Sequence, residues 1–318
     1  MQIPFEKIHG AGNDFVVFDN RQGTIELNAE QVQQICDRHF GVGADGIIEV
    51  RKSLSPKCVA YMYYRNADGS IAEMCGNGVR CFARYLVDKG IASEEEIAAR
   101  SFIIDTKAGH RPLTFDVDEN GNLCKARVGM GEPSFRPELI PTTLSSTRQI
   151  DVYNSKLEQE QSEDAVIQSV ITRGGEKFVV SCVNMGNPHA VMFLEYMDSL
   201  TARAFAHHPQ NIDLDSPGSY LESNTELFPQ KTNVEIATIN GKNQVQMRVY
   251  ERGVGETLAC GTGACAVAIV AILLGLVKRD EPVLVNLPGG TLEVEWLPNN
   301  QVMLTGPVET AFSGTITY

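Results

Sequence analysis

The apolar positions of this chain change period several times along its length. "DFVVFDN" (residues 14–20) is a short apolar run and predicts a strand. In "NAEQVQQICDRHF" (residues 28–40) Val32, Ile35 and Cys36 share one helical face behind a capping Asn28, which predicts a helix. "DGIIEV" and "CVAYMYYRN" predict strands. After Cys75 the residues Val79, Phe82, Ala83, Leu86 and Val87 recur at helical spacing, Arg84 and Asp88 lie four apart on the other face, and Gly90 can end the helix. "FIIDT", "PLTFDV" and "CKARVGM" are three short strand candidates. Residues 141–165 are polar and nearly devoid of core positions, which predicts a linker or an exposed insertion. Order resumes in "KFVVSCVNMGNPHAVMF" (residues 177–193), and a second loose stretch is expected over about 207–226. "NVEIATI" and "NQVQMRVYE" predict strands. The helix after Cys260 is apolar nearly all round, so it belongs inside its domain. The tail offers three more strands.

These elements repeat. "GNDFVVF" resembles "GNPHAVMF", and "EMCGNGVRC" resembles "LACGTGAC". Each Cys-Gly-x-Gly follows a polar strand-end residue by nine positions, Asn66 before Cys75 and Glu251 before Cys260. A duplicated α/β unit follows. Pseudo-twofold symmetry between the copies would bring the two Cys-Gly loops face to face.

Composition narrows the class. With 43% hydrophobic and 21% charged residues, the chain can build an ordinary globular core as one large or two medium domains. A formal charge of -13 with no dense Lys/Arg cluster argues against nucleic acid and against an anionic membrane surface. The longest apolar run is too short to span a bilayer, and the N-terminus lacks a signal or transit pattern, so a cytoplasmic protein is expected. The eight cysteines form no CxxC pair and there is no HExxH, so no metal site is expected. "GVGADG" (residues 41–46) satisfies a dinucleotide pattern, but it follows a helix and precedes a strand, the reverse of the order that motif needs.

The chemistry lies at the two helix mouths. A cysteine at a helix N-terminus feels the positive end of the macrodipole, which favours thiolate. Glycines behind it leave backbone N–H groups open to a carboxylate. Two such mouths around one carbon suit proton transfer from one face to the other, with one cysteine as base and the other as acid. Taken one at a time, a cysteine before a helix is more often a buried structural thiol. That reading is kept for Cys36, Cys58, Cys81, Cys124, Cys182 and Cys265.

"KIHGAGNDFVVFD", "RNADGSIAEMCGNGVRCFARY", "VNMGNPHAV", "TNVEIA" and "VYERGVGETLACGTGACA" together resemble the diaminopimelate epimerase family. The resemblance covers roughly three-quarters of the chain and fails in residues 141–176 and about 203–222. It implies an α+β fold of two pseudo-symmetric domains, each a mostly antiparallel sheet wrapped around a central helix. The expected division is residues 1–129, joined by the tail from about 306 to 318, and residues 130–305. It also implies a cofactor-independent, two-base isomerase that interconverts L,L- and meso-diaminopimelate in lysine and peptidoglycan synthesis, usually as a homodimer. Cys75 and Cys260 match the catalytic pair. Gly76 and Asn77, with Gly261 and Thr262, match the mouths that hold the reacting carboxylate. Asn13, Asn66, Asn187 and Asn233 match substrate ligands, and Arg252 matches the group on the distal carboxylate. Glu251 and His189 match residues that tune the cysteines and contact the substrate amine. Two positions depart from the pattern of some members: Gly46 stands where a Gln contacts substrate, and Phe312 where a Tyr is linked to dimerisation. Three rival readings stand at this point: a racemase of another amino acid, a thiol redox protein, and a binding-only relative.

Overall fold

A computed structural model describes residues 2–71, 76–197 and 214–317. The chain divides into two compact units, Met1–Gly129 with Thr305–Tyr318, and Met130–Leu304. Cys75 lies outside the described residues, as do residues 207–213 of the second loose stretch.

The first unit opens with β1 (Gln2–Gly10) and β2 (Asn13–Asp19), an antiparallel hairpin in which Gly10 pairs with Asn13. Ala11 and Gly12 make the turn, both with positive φ, 54° and 82°. That twist suits a tight hairpin and puts Asn13 at the head of its strand. Helix α1 (Ala29–Cys36) carries the Asn28–Gln31 capping box. It stops at Cys36 and not at Phe40. Asp37 turns extended and its carboxylate accepts from the backbone N–H groups of His39 and Phe40. Then come β3 (Gly46–Arg51), β4 (Tyr61–Asn66), helix α2 (Gly76–Asp88) and a short helix α3 (Glu94–Ala99). Helix α3 went unforeseen, although Ser93 and Glu96 form its capping box. Strands β5 (Ser101–Thr106), β6 (Arg111–Val117) and β7 (Leu123–Gly131) follow. β2 runs parallel to β3, β3 antiparallel to β4, β4 parallel to β5 and β5 antiparallel to β6. Helix α2 packs on β1 to β4 through Val79, Phe82, Ala83 and Leu86, all fully buried. Val79, Phe82 and Leu86 each contribute about 1.5–3 kcal/mol over an exposed side chain, and the smaller Ala83 less.

Of the two readings of the polar stretch 141–165, a linker or an exposed insertion, the second holds: it folds as a largely exposed hairpin of β8 (Arg148–Asn154) and β9 (Gln159–Ala165), paired through seven residue pairs. Only Ile150, Val152 and Ala165 on this hairpin face inward, so alternation is too faint to see in the sequence. The ladder is supported by cross-strand polar contacts such as Asn154 Nδ2 to Gln161 Oε1 at 2.9 Å.

Strands β10 (Ser169–Arg173), β11 (Glu176–Asn184) and β12 (Pro188–Phe193) come next. The described part of the second loose stretch is also ordered, as helix α4 (Asp215–Ser223). Its Leu221 is fully buried, and at Gly218 a Cβ would lie 2.7 Å from Tyr250. Strands β13 (Asn233–Ile239), β14 (Gln244–Glu251) and β15 (Gly255–Thr257) lead into helix α5 (Gly261–Leu273). The tail holds β16 (Val283–Leu287), β17 (Gly290–Trp296), β18 (Val302–Pro307) and β19 (Glu309–Thr317), four strands where three are expected. β19 pairs with β1.

The duplication is visible in the pairing. β11–β12 is antiparallel, β12–β13 parallel, β13–β14 antiparallel, β14–β16 parallel and β16–β17 antiparallel, the series seen from β1 to β6. Helix α5 packs on β11, β12, β13, β14, β16 and β17 and is buried from Gly263 to Ala271. Each unit is thus a mostly antiparallel sheet around one central helix, an α+β fold. No helix among the described residues is long and apolar enough to cross a membrane.

Candidate active site

In the first unit, Gly76, Asn77 and Gly78 open α2 and are buried. A directional chain of hydrogen bonds runs through this mouth. Arg80 Nη2 donates to Asn77 Oδ1 at 2.7 Å, Asn77 Nδ2 donates to Asn13 Oδ1 at 3.1 Å, and Asn13 Nδ2 donates to Asp45 Oδ2 at 2.6 Å. Arg80 also donates to the Gly76 carbonyl at 3.3 Å, and it is completely buried. Gly10 makes room for it: a Cβ there would sit 3.0 Å from Arg80 Nη2. Arg38 clamps Asp14 and Asp45 at 2.8 and 2.7 Å, and Lys7 lies 2.7 Å from Asp14. Burial opposes ionisation of Asp14, but the hydrogen bonds of Arg38 and Lys7 prevail and hold its carboxyl down at about 2.

Asn66 ends β4 directly opposite Gly46. Its Oδ1 accepts from Tyr64 OH at 2.7 Å and its Nδ2 donates to Ser70 Oγ at 3.0 Å. The departure at Gly46 has a steric reason. A Cβ at Gly46 would lie 2.4 Å from the Arg65 carbonyl oxygen, so in this chain a larger residue would have to displace the β4 backbone.

In the second unit, Cys260 is the N-cap of α5, with φ -128° and ψ 113°, and is 5% exposed. Its Sγ lies 3.5 Å from Thr262 Oγ1. His189 and Glu235 sit below, both side chains completely buried, with Nδ1 and Oε1 2.6 Å apart. The other ring nitrogen lies 3.0 Å from Asn187 Oδ1. Glu251 accepts from Thr257 Oγ1 at 2.5 Å. Burial raises the Cys260 thiol well above its ordinary range, and the charges of Glu251 and Glu235 raise it further. Thr262 and the Gly263 N–H act the other way and do not win. Burial likewise raises Glu251, against its hydrogen bonds from Thr257 and Cys260.

Asn233 has both ends of its amide engaged. Nδ2 donates to the Pro188 carbonyl at 2.9 Å, and Oδ1 accepts from the Arg252 backbone N–H at 2.9 Å. The exposed Arg252 donates through Nη1 to the Gln230 carbonyl at 3.2 Å. The second unit therefore gathers Asn187, His189, Asn233, Glu251, Arg252, Cys260, Gly261 and Thr262 around one helix mouth. The first gathers Asn13, Gly76 and Asn77, with Asn66 at the adjoining strand end. Among the described residues no cluster of His, Cys, Asp and Glu could hold a metal ion. Of the thiols read as structural, Cys36, Cys81, Cys182 and Cys265 are buried, and burial pushes Cys36 and Cys182 up to about 12.

Register exposes a difference between the copies. His189 pairs with Asn233 as Phe15 pairs with Gly46, so Glu235, two residues on, corresponds to Ile48. Glu251 corresponds to Asn66, and Cys265 to Arg80 by distance from the mouth. At these corresponding positions the first copy carries Phe15, Ile48, Asn66 and Arg80, and the second His189, Glu235, Glu251 and Cys265. Arg80, Asp45 and Glu235 escape a sequence reading. The available signals are a charged residue on the apolar face of α2 and a glutamate inside the apolar strand "NVEIATI".

A model of the family "Diaminopimelate epimerase" matches residues 5–136 and 181–311. The interval between the two matches holds β8, β9 and β10. A diaminopimelate epimerase from Leptospira biflexa is 38% identical over 99% of both chains. One from Synechocystis sp. is 39% identical, again over 99% of both. Among solved structures, a hydroxyproline epimerase from Agrobacterium vitis shares the fold, with TM-score 0.65 at 12% identity over 99% of this chain and 91% of that one. Long, ordered matches on both copies of the duplicated unit lead to one conclusion: the chain belongs to the diaminopimelate epimerase family.

Proposed function

We propose that this chain interconverts L,L- and meso-diaminopimelate, serving lysine and peptidoglycan synthesis, with Cys75 and Cys260 as alternating base and acid and no cofactor. The supporting observation is Cys260 itself: a buried thiol at the N-terminus of a buried helix, flanked by Glu251 and Glu235. Such a thiol starts the cycle protonated. The thiolate of Cys75 removes the α-proton, and Cys260 delivers its own proton to the opposite face of the carbon. The stereocentre inverts and the charge moves from one sulfur to the other. A Cys260 thiolate beside two carboxylates is a strong base, so it takes the proton back readily in the reverse reaction.

The α-carbanion needs its charge stabilised as it develops. The N–H groups at the mouths of α2 and α5 bind the α-carboxylate and supply that stabilisation, because they are fixed before reaction. Arg252 holds the distal carboxylate, a task suited to a forked guanidinium. Asn13, Asn66, Asn187 and Asn233 complete the substrate contacts, and His189 and Glu251 set the ionisation of the cysteines. On this reading the protein is a cytoplasmic homodimer, which sedimentation would check.

Proton NMR of the reduced protein with L,L-diaminopimelate in D2O, with nothing else added, tests the proposal. Meso product carrying deuterium at one α-carbon is expected from the parent. Cys75→Ala and Cys260→Ala are each expected to lose it. Near-normal turnover in either variant would end the two-base assignment, and faster turnover of another amino acid would change the substrate.

A further inference from the structure

Helix α4 lies in a stretch where the chain departs from the family motifs, yet it reaches the turn that carries Arg252. That turn runs from Glu251 to Val254, closed by Val254 N–H donating to the Glu251 carbonyl at 3.1 Å, with Gly253 at φ 74°. A turn of this type fixes its second residue, Arg252, through the two peptide groups around it. Both of those N–H groups are held from outside the turn. Asn233 Oδ1 accepts from Arg252 N at 2.9 Å, and Glu222 Oε1 accepts from Gly253 N at 2.9 Å. Glu222 is 6% exposed, and the same oxygen lies 3.1 Å from Lys231 Nζ. A carboxylate this buried needs such partners, and a charged acceptor makes a stronger bond to a peptide N–H than a neutral one does. The helix that presents it sits tight on β14 at Gly218 against Tyr250.

We infer that Glu222 is a positioning residue for Arg252: by gripping the Gly253 peptide it aims the guanidinium at the substrate's distal carboxylate. This rests on the proposed role of Arg252. The distal carboxylate is remote from the reacting carbon and is bound alike in ground and transition states. Loss of its grip therefore raises KM and leaves kcat nearly unchanged.

The test is a double-mutant cycle on the full chain, read by steady-state kinetics with L,L-diaminopimelate. Glu222→Ala is expected to raise KM about 10-fold with kcat within about 3-fold, and Glu222→Gln, which keeps an acceptor, to recover most of the loss. In an Arg252→Ala background the further change Glu222→Ala is expected to leave KM within about 2-fold, because the side chain to be aimed is gone. Equal KM increases in both backgrounds, or a fall in kcat alone, would overturn the positioning role. If Arg252→Ala itself leaves KM unchanged, the assignment of Arg252 fails and the positioning role with it. If Glu222→Ala does not fold, the comparison of Glu222→Gln in the two backgrounds decides the same question.

Discussion

Glu235 Oε1 stands 2.6 Å from His189 Nδ1 and would be 2.8 Å from a Cβ placed on Gly263 at the mouth of α5. The carboxylate therefore underlies both the imidazole and the loop that carries Cys260. Its other oxygen has no hydrogen-bond partner among the described residues. Glu235→Gln removes the charge and keeps an acceptor for His189. The Cys260 thiol then titrates lower, since one of the two negative charges raising it is gone. Alkylation of Cys260 by iodoacetamide, followed against pH in a Cys75→Ala background, is expected to begin at lower pH in Glu235→Gln. An unchanged profile would mean that Glu235 does not act on the thiol.

Glu251 is expected to cost stability at neutral pH. Its folded-state value is raised, so between the unfolded and the folded value the folded chain binds more proton than the unfolded chain does, and above both values Glu251 is a buried carboxylate whose burial has cost stability. Stability then falls as pH climbs from the ordinary carboxylate value of about 4.3 toward the folded value. Glu251→Gln escapes that penalty and can still accept from Thr257. Thermal unfolding is expected to show the variant more stable than the parent at pH 8, with the gap closing near pH 4, while its epimerase activity falls. A variant less stable at pH 8 would contradict this sign.

Asp14 has the opposite linkage. Its carboxyl is held at about 2, so its contribution is complete above the unfolded value and is lost as pH falls through the folded one. Asp14→Asn is expected to lose about 2 kcal/mol at pH 7, since a shift of this size corresponds to roughly that much. Urea titrations at decreasing pH are expected to show the two proteins converging between about pH 4 and pH 2. A constant gap over that window would show that Asp14 acts through packing and not charge.

Gly46→Ala is expected to be costly despite the small side chain. Its Cβ would meet backbone, the Arg65 carbonyl oxygen at 2.4 Å, and not the movable end of a side chain. A loss of about 3 kcal/mol follows, at the upper end for overpacking. Calorimetry checks it, and a change below about 0.5 kcal/mol would mean the strands part easily.

The sequence made the two helix mouths and their flanking strands legible because apolar period, glycine punctuation and duplication coincide there. Val79, Phe82 and Leu86 mark the first helix, and the unbroken apolar run after Cys260 marks the second. Hairpin β8–β9 was illegible for a physical reason. Its order comes from backbone pairing and polar cross-strand contacts, and Ile150 and Val152 alone give little periodicity. Helix α4 was hidden similarly: it falls in a stretch whose polar and small residues predict loose chain, yet Glu222 is buried by the Gly253 peptide and Gly218 by Tyr250. Arg80 and Asp45 show the same limit. Their importance lies in a chain of contacts through Asn77 and Asn13, which residues distant in sequence complete only in three dimensions.

The shared pairing series also lets one copy serve as the reference for the other. Phe15 and Ile48 occupy in the first unit the register positions that His189 and Glu235 occupy in the second. The backbone therefore does not require the polar pair. Two large apolar side chains buried there would contribute on the order of 3–6 kcal/mol, a sizeable part of the roughly 5–15 kcal/mol by which a typical domain stays folded. The second unit carries an ionisable pair at these positions, His189 and Glu235, both completely buried. At these two positions the shared scaffold accepts either an apolar pair or an ionisable one, so the charges beside Cys260 are set by side-chain identity and not by the pairing series.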